Sequence, residues 1–256
     1  MSVASLVLIG FLAVIMEIID SGLGMMYGTL LSPILILMGY NPKLVVPSIL
    51  ISQGLGGVAG SIGHHKRKSS DFGGLTRDMK ISLSIIIPGL LACVAGVVAG
   101  KLIPTLYMKS YIGMLVIVMG GLCLRPIYYT FTWKKMFGIG LLSGFNKAFS
   151  GGGFGPVTST GKILSGVDPK VSVGTTTLAE VPICFVSFLL WYAFGGSLDW
   201  RLPVALSGGA LIGGLIGPII TAKINTKILR HIVGTLAVIS GLWLLVDLII
   251  RLSTGQ

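Results

Sequence analysis

Long apolar runs dominate the pattern of hydrophobic and polar positions along the chain. Six runs are long enough to cross a bilayer, which takes roughly 17–25 residues. These six runs cover 43–63, 81–100, 107–124, 170–194, 202–222 and 231–250. Two further stretches, 3–38 and 136–165, are interrupted by glycine-rich polar breaks at 17–29 and 146–156, and each continues into an arm too short to span. The pattern predicts an all-α integral membrane protein containing two broken, re-entrant helical hairpins.

An internal repeat relates the two halves of the chain. When the sequence is shifted by 127 residues, residues 24–46 align with 151–173 without a gap, and nine of the 23 positions are identical. Average composition gives roughly one or two identities over such a length. We therefore predict a first repeat over 1–128 and a second over 129–256, which together form one transmembrane domain. Each repeat has one broken hairpin and three transmembrane helices.

The distribution of basic residues distinguishes two orientations of the repeats. If each broken hairpin enters and returns on one face, the repeats are inverted and 13 Lys and Arg lie on one face against five on the other. Those 13 lie in loops 64–80, 125–135, 162–170 and 223–230. If each broken stretch crosses fully, the split is ten to eight. Because cytoplasmic loops are enriched in Lys and Arg, the inverted arrangement is favoured, with loop 64–80 cytoplasmic.

Composition supports the membrane assignment and explains the net charge. Hydrophobic residues make up 53% of the chain and charged residues 11%, with a mean hydropathy of +0.94. A soluble domain has about 25% charged residues. The basic residues behind the net charge of +11 lie mostly in loops between apolar runs, so the charge reflects the topology of the protein in the membrane. We therefore expect membrane lipids, and no nucleic acid, as partners.

The glycines of the two breaks are the first candidates for a binding site. They are Gly24, Gly28, Gly151, Gly152, Gly153 and Gly155. Pro156 suits a first helical turn, so a half-helix is predicted over 155–165 with its free N–H groups directed at the glycines. Such helix ends attract anions, and in inverted repeats two of them converge on one site. The alternative is that these glycines only allow close helix packing.

Polar side chains near the breaks extend this candidate site. A lysine at membrane depth is by default functional, so Lys147 is expected to supply positive charge to an anion. The alternatives are an ion pair with Asp20, its counterpart in the repeat, and a snorkelling position near a membrane interface. Hydroxyl and amide groups can donate hydrogen bonds to an oxyanion without adding charge. The candidate donors are Ser48, Gln53, Thr175 and Thr176. The alternative for each donor is a hydrogen bond within or between helices.

Three acidic residues are candidates for proton coupling. A buried glutamate can carry a proton, so Glu180 is expected to couple proton movement to anion movement, with Asp20 and Glu17 as further candidates. A structural hydrogen bond for Glu180 and a position near a membrane boundary for Glu17 are the alternatives. A competing hypothesis is a transporter of a carboxylate or a metal cation that uses these three acids. His64 is expected at a solvated loop end.

Residues 17–53 and 144–180 resemble the sulfite exporter TauE/SafE family, also called the toluene-sulfonate uptake permease family. The shared features are a glycine cluster, a small-polar half-helix, a G-x-[ND]-P turn and a hydroxyl-rich helix start. The resemblance implies a secondary transporter, not an enzyme, that moves sulfite, sulfonates or related organic anions across the plasma membrane by alternating access. It assigns the second glycine motif, Thr175 and Thr176 to the substrate. No cofactor is implied, and a homodimer is compatible with it.

Overall fold

The computed structural model describes residues 3–124, 130, 132–194, 199–221 and 226–254, and these ranges contain no β-strand. The helices are α1 (Val3–Leu23), α2 (Tyr27–Leu37), α3 (Pro42–Lys66), α4 (Arg77–Leu102), α5 (Thr105–Leu124), α6 (Trp133–Ser150), α7 (Phe154–Leu164), α8 (Pro169–Ala193), α9 (Arg201–Thr221) and α10 (Thr226–Thr254). The all-α prediction is confirmed for these ranges. The predicted repeat boundary at 128 and loop positions 125–129 and 223–225 lie outside them.

Each of the six predicted runs corresponds to one helix, from α3 to α5 and from α8 to α10. Among the described residues, five helices are long and apolar enough to cross a membrane: α1, α3, α4, α8 and α9. The ends differ from the predictions by a few residues, because polar residues cap several helices. Thr76, for example, accepts a hydrogen bond from Met79 N and starts α4 four residues before the predicted apolar run.

The two predicted breaks are present but much narrower than predicted. Helix α1 continues to Leu23 and α6 to Ser150, so the non-helical residues are only 24–26 and 151–153. Gly151 and Gly153 have φ of 74° and 76°, a left-handed conformation that glycine adopts at little cost. The helices α2 and α7 that follow are 11 residues each, about half a span.

The outside of this helix bundle is apolar and several charged side chains are buried inside it, unlike in a water-soluble protein. Large apolar side chains cover the outside, with Leu91 66% and Leu215 61% exposed, whereas Glu17 and Lys147 are at most 1% exposed. Lysine and glutamate are almost never fully buried in soluble proteins unless they are paired. This distribution fits a protein whose outer surface faces lipid and whose polar groups face one another.

Close contacts at glycines define the relative directions of the central helices. Helices α3 and α8 are antiparallel, because a Cβ at Gly54 would approach Phe185 and one at Gly60 would approach Thr177. Helices α5 and α10, which are also counterparts in the repeat, are likewise antiparallel, as Gly113 lies against Leu245 and Gly241 against Ile117.

The remaining long helices pack as parallel pairs. Helix α1 runs parallel to α9, since Gly10 lies against Ala205 and Gly22 against Gly217. Helix α6 runs parallel to α4, since Gly140 lies against Ile85 and Gly96 against Ala148. Under the 127-residue shift α1 corresponds to α6 and α9 to α4, so one pair is the counterpart of the other.

Candidate functional site

The two breaks meet each other in the centre of the helix bundle. A Cβ added at Gly28 would lie 1.7 Å from the carbonyl oxygen of Gly151, and one added at Gly155 would lie 2.5 Å from that of Gly24. The backbone N–H of Gly153 donates a hydrogen bond of 3.0 Å to the Thr29 hydroxyl across the same contact. The glycines therefore allow direct backbone packing, and a ligand reaches their amides only if the breaks separate.

A buried ion pair lies beside this contact. Lys147 Nζ is 2.9 Å from Glu180 Oε1, and the two side chains are only 1% and 5% exposed. The lysine also donates to the Gln53 side-chain oxygen and, at 3.1 Å, to the carbonyl of Gly151. All three ammonium donors of Lys147 therefore have partners, and the ion pair connects the two helices α6 and α8 to the second break.

The first repeat contributes an acid and an amide to the same network. Gln53 Nε2 donates to Asp20 Oδ2 at 3.0 Å, and the backbone N–H of Tyr27 donates to Asp20 Oδ1 at 2.9 Å. Asp20 thus places negative charge at the start of α2, where the helix dipole favours it. The side chains form one chain from Asp20 through Gln53 and Lys147 to Glu180.

The alternative partner predicted for Lys147 was wrong. Lys147 pairs with Glu180, and Gln53 lies between the lysine and Asp20. Asp20 and Lys147 are counterparts under the 127-residue shift, and so are Gln53 and Glu180. The network is therefore a pseudo-symmetric set of four positions in which one repeat holds an acid and an amide and the other holds a cation and an acid.

Glu17 is buried between helices α1, α3 and α9, not exposed near a membrane boundary. Its side chain is 0% exposed and lies against Gly56 and Gly213. The Ser21 hydroxyl donates to Oε1 at 2.6 Å, whereas Oε2 has no hydrogen-bond partner among the described residues. A buried carboxylate with one unpaired oxygen is costly when ionised, so this position favours a protonated side chain or a further partner.

Three of the predicted hydroxyl donors bond to their own helices. Ser48 donates to the Leu44 carbonyl at 2.7 Å, Thr175 to that of Val171 at 2.6 Å and Thr176 to that of Ser172 at 2.8 Å. Of the four predicted donors, Gln53 is the one that contacts Lys147, and its side-chain oxygen accepts a hydrogen bond from the ammonium group. In this conformation the hydroxyls of Ser48, Thr175 and Thr176 therefore form hydrogen bonds within their own helices, which is the alternative given for them in the sequence analysis.

Sequence reasoning missed the burial of Lys162. It was assigned to loop 162–170, but α7 continues to Leu164 and the Lys162 side chain is 0% exposed. Its ammonium donates to the Ser172 carbonyl at 2.9 Å and to the Thr175 hydroxyl at 2.7 Å. One signal was available, because Lys162 lies within the half-helix that the sequence predicts over 155–165 and three residues after Ser159, on the same face of that helix.

His64 was also misplaced by the sequence prediction. Helix α3 extends to Lys66, so its last turn packs His64 against the end of α1, where Nε2 lies 2.8 Å from the Ser21 carbonyl. The ring is fully buried, and its Nδ1 has no hydrogen-bond partner in the part of the chain that the structure describes. His65 is partly exposed, as expected, and accepts a hydrogen bond from Phe72 N.

Several apolar spans around two discontinuous helices, with buried opposite charges where the breaks meet, define a multi-pass membrane transporter. The chain belongs to the sulfite exporter TauE/SafE family, whose model matches residues 6–244. This finding confirms the resemblance inferred from the two breaks.

A relative in Bacillus subtilis (strain 168), the "probable membrane transporter protein YtnM", is 25% identical over 245 residues, which cover 90% of this chain and 79% of that protein. The family does not favour the cation alternative. Among the described residues, no group of three or more His, Cys, Asp and Glu is arranged to hold a metal ion.

Proposed function

We propose that this protein is a secondary transporter that moves a small sulfur-containing oxyanion, such as sulfite or a sulfonate, across the plasma membrane. The observation that carries the proposal is the buried Lys147–Glu180 ion pair beside the meeting point of the two breaks. Membership of the sulfite exporter TauE/SafE family supports the substrate class. Lys147 is the cation that would bind the substrate, and Gln53 is a neutral donor next to it.

The ion pair suggests how a proton and an anion would be coupled. Glu180 and an incoming oxyanion compete for the same ammonium group of Lys147. If the anion displaced an ionised Glu180, the carboxylate would remain buried and unpaired, which costs several kcal/mol. Protonation of Glu180 removes that penalty and frees the lysine. Anion binding and proton binding therefore favour each other, which corresponds to movement of both in the same direction.

Two inverted repeats that rock about the central network would provide alternating access. The antiparallel directions of the counterpart helices α3 and α8, and of α5 and α10, support this arrangement. Rocking separates the two breaks, and the glycine amides from Gly24 to Gly28 and from Gly151 to Gly155 then become available to the anion. In this proposal Ser48, Thr175 and Thr176 become donors only after their helices move, and Asp20 and Glu17 are additional proton acceptors.

Loop 64–80 is proposed to be cytoplasmic. Removing the buried Lys162 from the basic-loop total leaves 12 Lys and Arg against five on the other face, so the bias keeps its sign.

Ligand-dependent thermal unfolding of the purified protein in detergent tests the substrate class. The panel contains sulfite, thiosulfate, sulfoacetate, taurine, acetate, phosphate and chloride, with divalent cations as the contrast. A ligand at about a hundredfold excess over its Kd stabilises the folded state by about 2.7 kcal/mol. We expect sulfur oxyanions to raise Tm, and more strongly at lower pH. Stabilisation by divalent cations alone would reject the proposal.

Matched variants test the competition between Glu180 and the anion. Lys147→Met should remove most of the anion-dependent shift, whereas Glu180→Gln should retain it and make it less dependent on pH. Lys170→Met removes one exposed lysine in the same repeat and should behave as the wild type. A folded Lys147→Met protein with unchanged anion affinity would eliminate the lysine from the site. Sulfite uptake into proteoliposomes driven by a pH gradient then measures the coupling directly.

A further inference from the structure

We propose that Lys162 is the centre of a second anion-binding site, located between α7 and α8, for the same class of small oxyanion. The proposal rests on the proposed function, because it assigns an additional position on the route of the same substrate. In this site the ammonium group supplies the charge and the neighbouring hydroxyls supply hydrogen bonds.

The hydrogen bonds of Lys162 go to neutral groups, and Asp78 attracts it only from beyond ion-pair distance. An ammonium group has three N–H donors, and two of those of Lys162 go to neutral acceptors, the Ser172 carbonyl and the Thr175 hydroxyl. No carboxylate forms an ion pair with Lys162 in the described ranges, whereas Lys147 has Glu180. A fully buried cation without a counter-charge is unfavourable, and an anion at the remaining donor relieves that cost.

The Thr175 hydroxyl contacts this ammonium group, and three further hydroxyls lie nearby on α7 and α8. Ser159 Oγ lies 2.8 Å from Thr176 Oγ1, and Ser172 Oγ donates to the Ser159 carbonyl at 3.0 Å. Together with Thr175 they form a cluster of four hydroxyls beside one cation. A hydroxyl can reorient to donate to an oxyanion, and hydrogen bonds to an ionised acceptor are stronger than those to a neutral one. The chemistry of the cluster therefore fits a sulfur oxyanion.

The first repeat shows that packing does not require these polar residues. The counterparts of Lys162, Ser172 and Thr176 are Leu35, Val45 and Ile49, three apolar residues that are each 0% exposed. Ser159 and Thr175 are matched by Ser32 and Ser48, so the second repeat adds a cation and two hydroxyls to a corner that has two hydroxyls in both repeats. A role in ligand binding explains the polar version, whereas a role in packing alone does not.

Hydrogen bonds link Lys162, through Thr175, towards a surface cavity, and the hydroxyl cluster is linked towards the first break. A cavity of about 90 Å³ lies at the ends of α4 and α8, with Arg77 and Asp168 exposed at its rim and Val171 in its wall. The Val171 carbonyl accepts the hydrogen bond of Thr175, the residue that Lys162 contacts.

The carboxylates near this cavity are already engaged with backbone amides. Asp168 accepts from Lys170 N and Val171 N, and Asp78, which also lines the cavity, accepts from Asp71 N. On the inner side, Ser159 Oγ donates to the carbonyl of Gly24 in the first break. The hydroxyl cluster thus lies between a surface cavity and the meeting point of the breaks.

Binding of radiolabelled sulfite to the purified protein in detergent tests the second site. The proteins compared are the wild type, Lys147→Met, Lys162→Leu and the double variant. Leucine is chosen because Leu35 fills the equivalent position. We expect Lys147→Met to retain a weaker component of sulfite binding. Adding Lys162→Leu in the double variant should remove this component, because the affinity of the second site for sulfite falls at least about tenfold without the Lys162 charge.

The outcomes separate this site from the central one. If wild-type protein binds sulfite and Lys147→Met binds none, the second site is rejected and the proposed function stands. If Lys147→Met binds as the wild type does and Lys162→Leu binds none, the second site stands and Lys147 is not the substrate cation. If the double variant still binds as Lys147→Met does, Lys162 does not bind the anion.

Three controls accompany this binding test. Lys162→Arg retains the charge and should retain the weaker component, so its loss would argue against a charge-based site. Unfolding without sulfite establishes that each variant is folded, and Lys162→Met replaces Lys162→Leu if the latter is not. Lys170→Met, an exposed lysine a few residues away, should leave both components unchanged; a loss there equal to that of Lys162→Leu would indicate general surface electrostatics and reject the site.

Discussion

The two repeats have nearly the same helices but different chemistry at equivalent positions. Helices α2 and α7 have 11 residues each, and α3 and α8 have 25 residues each. At the centre, however, Asp20 and Gln53 in the first repeat correspond to Lys147 and Glu180 in the second. The helices thus supply a shared frame, and the substitutions within that frame produce the buried charge pair.

The positions at which the repeats agree differ in kind from those at which they differ. Gly28 and Gly155 are shared glycines whose added Cβ atoms would lie within 2.5 Å of a backbone oxygen of the opposite break. Close contact between the repeats explains why these two positions are glycine in both. Asp20 and Gln53 differ from their counterparts Lys147 and Glu180 within the central polar network, and we attribute this difference to the proposed function.

The largest effect is expected from breaking the central ion pair. Lys147→Met leaves Glu180 buried without its cation, which typically costs about 3–5 kcal/mol at neutral pH. Lys147→Met combined with Glu180→Gln should recover most of that stability without restoring the anion binding that depends on Lys147. Thermal unfolding and sulfite binding of the three variants measure the two effects separately. Equal stability of the single and double variants would mean that the pair is not maintained in the protein.

The next effect concerns the contact between the breaks. Gly28→Ala places a Cβ 1.7 Å from the Gly151 carbonyl oxygen, so the two backbones must separate. Overpacking of this kind costs about 1–3 kcal/mol, and occasionally more. Gly208→Ala is the matched control, because Gly208 lies in helix α9 with no atom within 4 Å of its added Cβ. Chemical unfolding should separate the two variants, and equal stabilities would contradict the direct contact.

An effect of similar size is expected when the acid of the first repeat is neutralised. Asp20→Asn keeps the shape of the side chain, but its amide offers one acceptor where Tyr27 N and Gln53 Nε2 require two. Loss of one charged hydrogen bond should reduce the free energy of unfolding by about 1.5–3 kcal/mol. Unchanged stability would indicate that Asp20 is already protonated in the wild-type protein, which would make it the better candidate for carrying a proton.

The smallest effect compares equivalent hydroxyls in the two repeats. Ser48→Ala removes a hydroxyl that bonds only to its own helix, so a change within about 0.5 kcal/mol is expected. Its counterpart Thr175 also accepts a hydrogen bond from Lys162, and Thr175→Val should cost about 1 kcal/mol more. Denaturation of the two variants side by side measures the difference. A larger loss for Ser48→Ala would reverse the inferred asymmetry.

The sequence alone predicted the class of this protein, the approximate ends of the helices α3 to α5 and α8 to α10, the two breaks and the family. These features depend on local properties, namely hydrophobic run length, glycine content and similarity between nearby residues, so they can be recognised without the fold. The candidate residues Gln53, Lys147 and Glu180 were recognised for the same reason, because polar groups within apolar runs stand out.

Only the tertiary structure decided which of these residues meet. The pairing of Lys147 with Glu180 instead of Asp20 depends on how α3, α6 and α8 are rotated about their axes, and hydropathy does not encode that rotation. His64 appeared to lie in a loop because helix ends are weakly marked in sequence, and one additional helical turn buried it. Lys162 lay within the predicted half-helix, and packing of α7 against α8 buried it. Charge pairing and burial are properties of packing between distant segments, so they emerge only when the helices are assembled.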